Sequence, residues 1–106
     1  MALPGFPIVD AFYDWLEELP KDHAVFAAAS IMAVAKEGAY AAGCGDLGDG
    51  IWSCATTLGS PNLYMVIYIY SDAERFFPLH GVITCFADVR GEQLNEARRR
   101  LNKLRK

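Results

Sequence analysis

Apolar residues recur at helical spacing near both ends of the chain and at strand spacing in its middle. Residues 8–19 form one amphipathic pattern, which predicts a helix that ends before Pro20. A second helix is predicted over residues 21–37, with Gly38 as its C-terminal cap residue. A third is predicted over residues 91–104, where leucine and alanine form a narrow apolar stripe.

Three strand-like runs lie between the second and third helices, over residues 51–58, 63–70 and 75–86. Short segments with turn chemistry separate them, and turns this short join antiparallel neighbours. Residues 39–50 are rich in glycine and are expected to form a loop. The pattern predicts a single α+β domain over residues 1–106, in which two N-terminal helices pack on an antiparallel β-meander that a C-terminal helix follows.

The second predicted helix is apolar on both of its faces. Between residues 24 and 35 its only polar residue is Ser30. Ala27, Ile31 and Val34 define one face, so a surface helix should carry polar residues opposite them. Four apolar residues are candidates for a protein–protein interface instead: Val25, Phe26, Ala29 and Met32. The helix is therefore either buried on both sides within the chain or covers a partner.

Composition excludes several classes of protein. Hydrophobic residues make up 53% of the chain and charged residues 22%, unlike a disordered chain. No apolar run approaches the ~20 residues of a membrane-spanning helix, and no basic segment precedes the first apolar stretch as in a secretory signal. Three cysteines without a CxxC pair favour free thiols, a reducing compartment and hence a cytoplasmic location. No metal site or cofactor is predicted.

Charge is distributed unevenly along the chain. The formal net charge is -3, but residues 90–106 carry seven Lys or Arg and two Asp or Glu, while acidic residues dominate the remainder. Cations near the C-terminus of a helix suit its dipole, so the basic cluster is interpreted as a solvated helix end. RNA or ribosome binding is not expected; if the chain contacts nucleic acid, the candidates are Arg90, Arg98 and Arg99.

Few motifs in the sequence indicate a specific binding or catalytic site. Residues 43–48 match GxGxxG but follow a helix and precede a strand, the reverse of a dinucleotide site. A nucleophilic pair would need His80 with Cys54 or Cys85. The middle strand is expected to separate Cys54 from His80, and Cys85, five residues from His80, is expected to face the opposite side of the same strand. The catalytic candidates are therefore weak: His80, Asp88 and Cys85.

Several local strings resemble the RelE/ParE toxin superfamily, and its HigB-like, phage-derived branch in particular. They cover nearly the whole chain: Leu19-Pro20-Lys21, Leu47-Gly48-Asp49-Gly50-Ile51-Trp52, Leu63-Tyr64 with Val66-Ile67-Tyr68, Leu79-His80-Gly81, and residues 92–104. The resemblance implies an antiparallel sheet with two N-terminal helices on one face. It also implies ribosome-dependent cleavage of mRNA, as an mRNA interferase, or binding to a cognate antitoxin.

The departures from that family concern its cations. The strand after Trp52 usually reads Glu-Leu-Arg in the family, the middle strand usually has Arg at the position of Met65, and a Lys/Arg/Thr-rich run usually follows Leu-His-Gly. Phosphate binding and transition-state stabilisation need positive groups, which these positions lack here. The resemblance places the replaced residues in a former RNA cleft or ligand site: Ser53, Ala55, Met65, Thr84 and Cys85.

Three hypotheses remain open from the sequence. The first is a RelE-like scaffold, repurposed in nature or by engineering, that has lost RNase activity and makes an apolar contact with a partner chain, in the first place a copy of itself. The second is a small apolar ligand or a new reaction in the former cleft. The third is an active toxin of a toxin–antitoxin pair, which would arrest growth and cleave mRNA at the ribosome.

Overall fold

The structure, a computed structural model, describes residues 7–41, 44–59, 63–72, 75–85 and 90–104. These residues form three helices and four strands in an α+β arrangement, which confirms the predicted class. In chain order the elements are α1 (Pro7–Glu18), α2 (Lys21–Ala41), β1 (Gly45–Gly48), β2 (Ile51–Thr57), β3 (Tyr64–Asp72), β4 (Arg75–Thr84) and α3 (Glu92–Leu104). None of the described helices is long and apolar enough to cross a membrane.

The four strands form one sheet in the order β1-β2-β3-β4, and every neighbouring pair is antiparallel. This is the meander that the short turns predicted. Ser53 of β2 lies opposite Tyr68 of β3, which in turn lies opposite His80 of β4. The register shifts after that position because β4 contains a bulge, so that Ile69 pairs with Pro78.

Helices cover both faces of the sheet. Successive side chains of a strand point to opposite faces, so β3 supplies a core on each side. Met65, Ile67 and Ile69 pack with α1 and α2 on what we call the helix-pair face. Val66 and Tyr68 pack with α3 on what we call the α3 face. The apolar run of β3 therefore reflects burial on both sides.

A close approach between α1 and β4 fixes the position of the first helix. The ring of Trp15 lies directly over Gly81, and a Cβ atom at Gly81 would fall 2.8 Å from Cε3 of that ring and closer still to its outer carbons. Only glycine leaves room for the ring in this place. The same strand turns its other face to α3, so β4 joins the two helical layers.

The glycine-rich segment differs from its prediction as a loop. Residues 45–48 form β1, which pairs with β2 from Gly45 to Gly48. Its residues lack the β-branched and aromatic side chains that identify strands, which is why the pattern did not reveal it. The Asp46 carboxylate accepts a hydrogen bond from the Gly48 amide at 2.9 Å, and Gly48, Asp49 and Gly50 all have positive φ. These features build the turn into β2. The helical backbone of α2 is interrupted at Gly38 (φ 81, ψ 157), as predicted, but continues beyond it to Ala41.

The prediction of three free cysteines is wrong. Cys44 and Cys54 form a disulfide, with their Cα atoms 4.5 Å apart. Ten residues separate them in sequence, and the antiparallel return of β1 against β2 brings them together. Cys85 is a free and exposed thiol. Because a disulfide favours an oxidising environment, the cysteines no longer support a cytoplasmic location, which stays a prediction.

Candidate interaction surface

Local sequence explains why α2 forms a helix. Pro20 precedes it, and the Pro20 carbonyl accepts the first helical hydrogen bond from the Ala24 amide at 2.9 Å. Alanine dominates its middle and has the highest helix propensity. The helix packs one side on the sheet, where Ala27 and Val34 are buried. Its only mid-helix polar residue, Ser30, is half-buried, with Oγ 3.4 Å from Oγ1 of Thr56 on β2.

The opposite side of α2 is exposed and apolar. Val25 is 63% exposed, Met32 70% and Phe26 40%, and Ala29 between them is also exposed. We call these four residues the outer stripe. They are the interface candidates that the sequence singled out, and the fold does not bury them within this chain. Among the described residues three large hydrophobic side chains are exposed, and all three belong to α2.

A groove runs along α2 on the side of β4. It has a volume of about 380 Å³ and is almost entirely apolar. Its lining comes from α1, α2 and β4: Tyr13, Leu16, Ala28, Ile31, Met32, Ala35, Phe76 and Pro78. Burial raises the pKa of the Tyr13 phenol above its usual value, so this group is neutral. We call this space the β4-side groove.

A second groove lies on the other flank of α2, beside β2. Its volume is about 260 Å³. The disulfide forms part of its wall, together with residues of α2 and β2: Phe26, Ala29, Ser30, Ala33, Cys44, Cys54, Ala55 and Thr56. We call it the β2-side groove. The outer stripe is therefore a ridge between two depressions, a shape that another helix or an extended side chain can fit.

Charged side chains are frequent on the two helices of this layer. The residues of α1 and α2 include six acidic and two basic side chains. Asp10, Asp14, Glu17 and Glu18 of α1 are all exposed. Asp22 and Lys36, near the two ends of the outer stripe, are exposed as well.

His80, the first catalytic candidate, has a structural environment on the α3 face. Its Nε2 donates a hydrogen bond to Oε1 of Gln93 at 2.5 Å, and its ring stacks on Tyr68 with centroids 6.0 Å apart. Burial, the largest influence, lowers the pKa of His80, and the positive charge of Arg100 lowers it further. The Gln93 hydrogen bond and Glu96 act in the opposite direction. Burial between β4 and α3 thus favours the neutral form of the ring, and the Gln93 hydrogen bond fixes its position.

The structure separates the nucleophile candidates from His80. Cys54 is in the disulfide on the helix-pair face, whereas His80 lies on the α3 face. Cys85 follows the end of β4, and five residues of extended chain span about 16 Å. Asp88 lies outside the described residues. No group of three or more His, Cys, Asp or Glu side chains within the described ranges could hold a metal ion.

The five residues assigned to a former cleft do not come together. Met65 is 1% exposed in the core of the helix-pair face. Ser53 is 7% exposed and points to the α3 face, opposite Tyr68. Ala55 and Cys85 are exposed, and Thr84 is half-buried opposite Tyr64 on β3. The apolar side chain of Met65 is therefore part of the core and does not line an open cleft.

The candidate RNA-contacting arginines lie at α3 and just before it. Arg90 and Arg98 are exposed, and Arg99 forms an ion pair with Glu96. Glu96 also accepts a hydrogen bond from Nε of Arg100 at 2.8 Å. Although slight burial acts against it, these arginine contacts lower the pKa of Glu96. Part of the basic cluster is therefore engaged within α3.

Sequence reasoning missed the disulfide and most of the groove walls. Four wall residues were candidates from the sequence: Phe26, Ala29, Met32 and Ala55. Tyr13, Phe76 and Pro78 come from two elements that are distant in sequence, and only packing makes them neighbours. Paired phenylalanines on a predicted edge strand were the available signal. Comparisons with protein-family models, curated proteins and solved structures found no match to this chain. The resemblance to the RelE/ParE superfamily therefore stays a prediction from the quoted strings.

Proposed function

We propose that this protein is a RelE-like scaffold that does not cleave mRNA and that associates with a second copy of itself through the outer stripe of α2. The observation that carries the proposal is the exposure of Val25, Phe26 and Met32 on one helix. An exposed apolar ridge with a polar border is typical of a protein–protein contact. Covering it removes these side chains from water, at about 25 cal/mol for each Å² of apolar surface.

The absence of Lys and Arg from three of the four strands supports the loss of RNA cleavage. The sequences of β1, β2 and β3 contain no Lys or Arg. Stabilising the charge that develops on a transferred phosphoryl group needs positive groups at that place. On α3, Arg99 is paired with Glu96, and Arg100 is bound to Glu96 and to the Leu79 carbonyl. None of these contacts builds a cationic cleft over the sheet.

Placing a charge in the outer stripe tests the association. Val25→Glu and Met32→Glu each put a carboxylate in the centre of the proposed contact, where it would lose water. We expect each variant to weaken self-association by about 30-fold or more, the effect of losing a central contact residue. The measurement is molar mass by size-exclusion chromatography with light scattering over a range of concentrations.

Asn102→Glu is the matched control, because it adds the same charge at an exposed position of α3. Its association should equal that of the unaltered protein. An unaltered protein that stays monomeric at every concentration would overturn the proposal. So would a dimer that both glutamate variants leave intact.

Expression tests the second half of the proposal. Because β1, β2 and β3 lack cations, we expect normal growth of the host and intact message at translating ribosomes. An active mRNA interferase expressed from the same vector provides the positive control. Growth arrest with cleavage of mRNA at the ribosome would show that this chain is an active toxin.

An apolar ligand is the second candidate function, and the β4-side groove favours it. Its volume of about 380 Å³ is within the range of ligand sites, which is about 300–1,000 Å³, and such sites are mostly apolar. The Tyr13 hydroxyl could orient a polar atom of that ligand. A strict monomer in the light-scattering series would favour this candidate over self-association.

A further inference from the structure

We infer that the second copy binds through an antiparallel pair of α2 helices, related by a two-fold axis beside Ala29. The inference rests on the proposed self-association and specifies its geometry. Its basis is the placement of two opposite charges at the two ends of the outer stripe. Asp22 and Lys36 are both exposed, one before and one after the apolar residues of the stripe.

Helical spacing places these charges symmetrically about Ala29. Asp22 precedes Ala29 by seven residues and Lys36 follows it by seven. An α-helix rises about 1.5 Å and turns about 100° per residue, so Asp22 and Lys36 each lie about 10 Å from Ala29 along the helix axis. Viewed down that axis, each points within about 20° of the direction of the Ala29 side chain. Both charges are therefore on the same exposed side of α2 as the apolar ridge. About 20 Å separates them within one chain, too far for them to pair with each other.

Only one orientation of two such helices matches opposite charges. In an antiparallel pair centred on Ala29, Asp22 of each copy faces Lys36 of the other copy, so two pairs form. In a parallel pair, Asp22 would face Asp22 and Lys36 would face Lys36. Opposed like charges disfavour that orientation, which makes the antiparallel one specific. The surface is thus self-complementary, as a two-fold contact between identical chains requires.

The shape of the ridge agrees with this orientation. Ala29 and Ala33 have small side chains, which allow helix axes to approach to about 8–10 Å. The two-fold axis is perpendicular to both helices, so side chains on the β2 side of α2 in one copy meet side chains on the β2 side of α2 in the other copy. The Phe26 ring of one copy then lies over Ala33 of the other copy, at the β2-side groove. That groove, of about 260 Å³, is lined by Ala29, Ser30 and Ala33 along α2.

Charge reversal tests the orientation. Asp22→Lys and Lys36→Glu each turn both cross-chain attractions into repulsions. An exposed ion pair is weak by itself, but each variant reverses two pairs at once, so we expect either variant to weaken the dimer about tenfold at low salt. The double variant Asp22→Lys/Lys36→Glu restores both pairs and should return the dissociation constant to within about threefold of the original. High salt should reduce the effect of each single variant.

Mixing the two single variants is the sharpest form of the experiment. Each repels itself, but in a mixed dimer Lys at position 22 faces Glu at position 36, and Asp22 faces Lys36. Mass spectrometry of the intact complexes, or light scattering of the mixture, should therefore show a heterodimer tighter than either homodimer. Lys103→Glu is the control, because it makes the same charge change at an exposed position of α3.

The outcomes separate this inference from the proposed function. A dimer that Met32→Glu disrupts but that neither charge reversal weakens would overturn the antiparallel arrangement and leave the self-association standing. A protein that is monomeric at every concentration would overturn both. Weakening by each single reversal, with recovery in the double variant and in the mixture, would establish the arrangement.

Discussion

His80 illustrates how one residue can serve the fold where its sequence suggested chemistry. Its imidazole links β4 to Gln93 of α3 and stacks on Tyr68. Burial is the main reason that its pKa is lowered, with Arg100 adding to the effect and Gln93 and Glu96 opposing it. The folded state therefore binds the proton of His80 less readily than the unfolded chain does.

This difference predicts a stability that depends on pH. Because the folded pKa lies below the unfolded value of about 6.5, the stabilisation is fully present above that value and is lost as the pH falls through and below it. Between neutral pH and about pH 5.5, above the carboxylate range, the urea midpoint should fall. In His80→Gln the fall should be smaller.

Asn102→Gln, a substitution at an exposed position of α3, provides the comparison. It should retain the pH dependence of the unaltered protein. If His80→Gln and the unaltered protein lose stability equally on acidification, the environment of His80 does not account for the effect.

At the scale of elements, Arg100 fixes α3 to the sheet. The bulge in β4 leaves Leu79 without a cross-strand partner between Pro78 and His80. Nη1 of Arg100 donates a hydrogen bond to the Leu79 carbonyl at 2.8 Å, while its Nε is bound to Glu96. One guanidinium thus binds the carbonyl of the residue that the bulge leaves without a cross-strand partner.

Removal of this contact should destabilise the protein. Arg100→Met keeps the apolar stem but removes the half-buried hydrogen bond to the Leu79 carbonyl, at an expected cost of about 1–3 kcal/mol in the free energy of unfolding. Arg99→Met removes an exposed ion pair and should cost less than about 1 kcal/mol. Chemical denaturation of both variants measures the difference. Equal losses would show that the bond to Leu79 adds nothing beyond a surface pair.

The disulfide acts at the same scale on β1. This strand has only four residues, and the Cys44–Cys54 bond joins the segment before it to β2. Closing a loop of this length lowers the entropy of the unfolded chain. The folded state is thereby stabilised, typically by about 2–3 kcal/mol. The bond therefore holds a short edge element that hydrogen bonds alone hold weakly. It also stabilises one wall of the β2-side groove.

At the scale of the whole molecule, the sheet separates two unlike surfaces. The layer of α1 and α2 is acidic and contains the apolar ridge, whereas α3 carries four basic and two acidic residues. The outer stripe of α2 lies on the side of the helix that faces away from the sheet, and it stays exposed in the fold. A partner on this surface would remove Val25 and Met32 from water, as the proposed self-association does. The predicted effects of Val25→Glu, Met32→Glu and Lys36→Glu all depend on that geometry.

The sequence by itself determined the class of fold and most element boundaries. Helical periodicity, Pro20 and Gly38 are local signals, and they located α1 and α2 because helix formation depends on neighbours three and four residues apart. The same periodicity identified the apolar outer stripe. It could not decide between burial and exposure, because that depends on how much of the chain is available to cover a second face.

Only the tertiary structure decided which distant residues meet. The pairing of Cys44 with Cys54, the separation of Ser53 from Met65 onto opposite faces, and the grooves beside α2 all depend on strand register and helix placement. The sequence pattern did not reveal β1, because its four residues form a strand by pairing with β2 and have little strand propensity of their own. Local spacing determines which side chains share a face of a helix or strand. Packing determines the distances between elements. The contacts of His80, Arg100 and the disulfide all join different elements, so only the tertiary structure shows them.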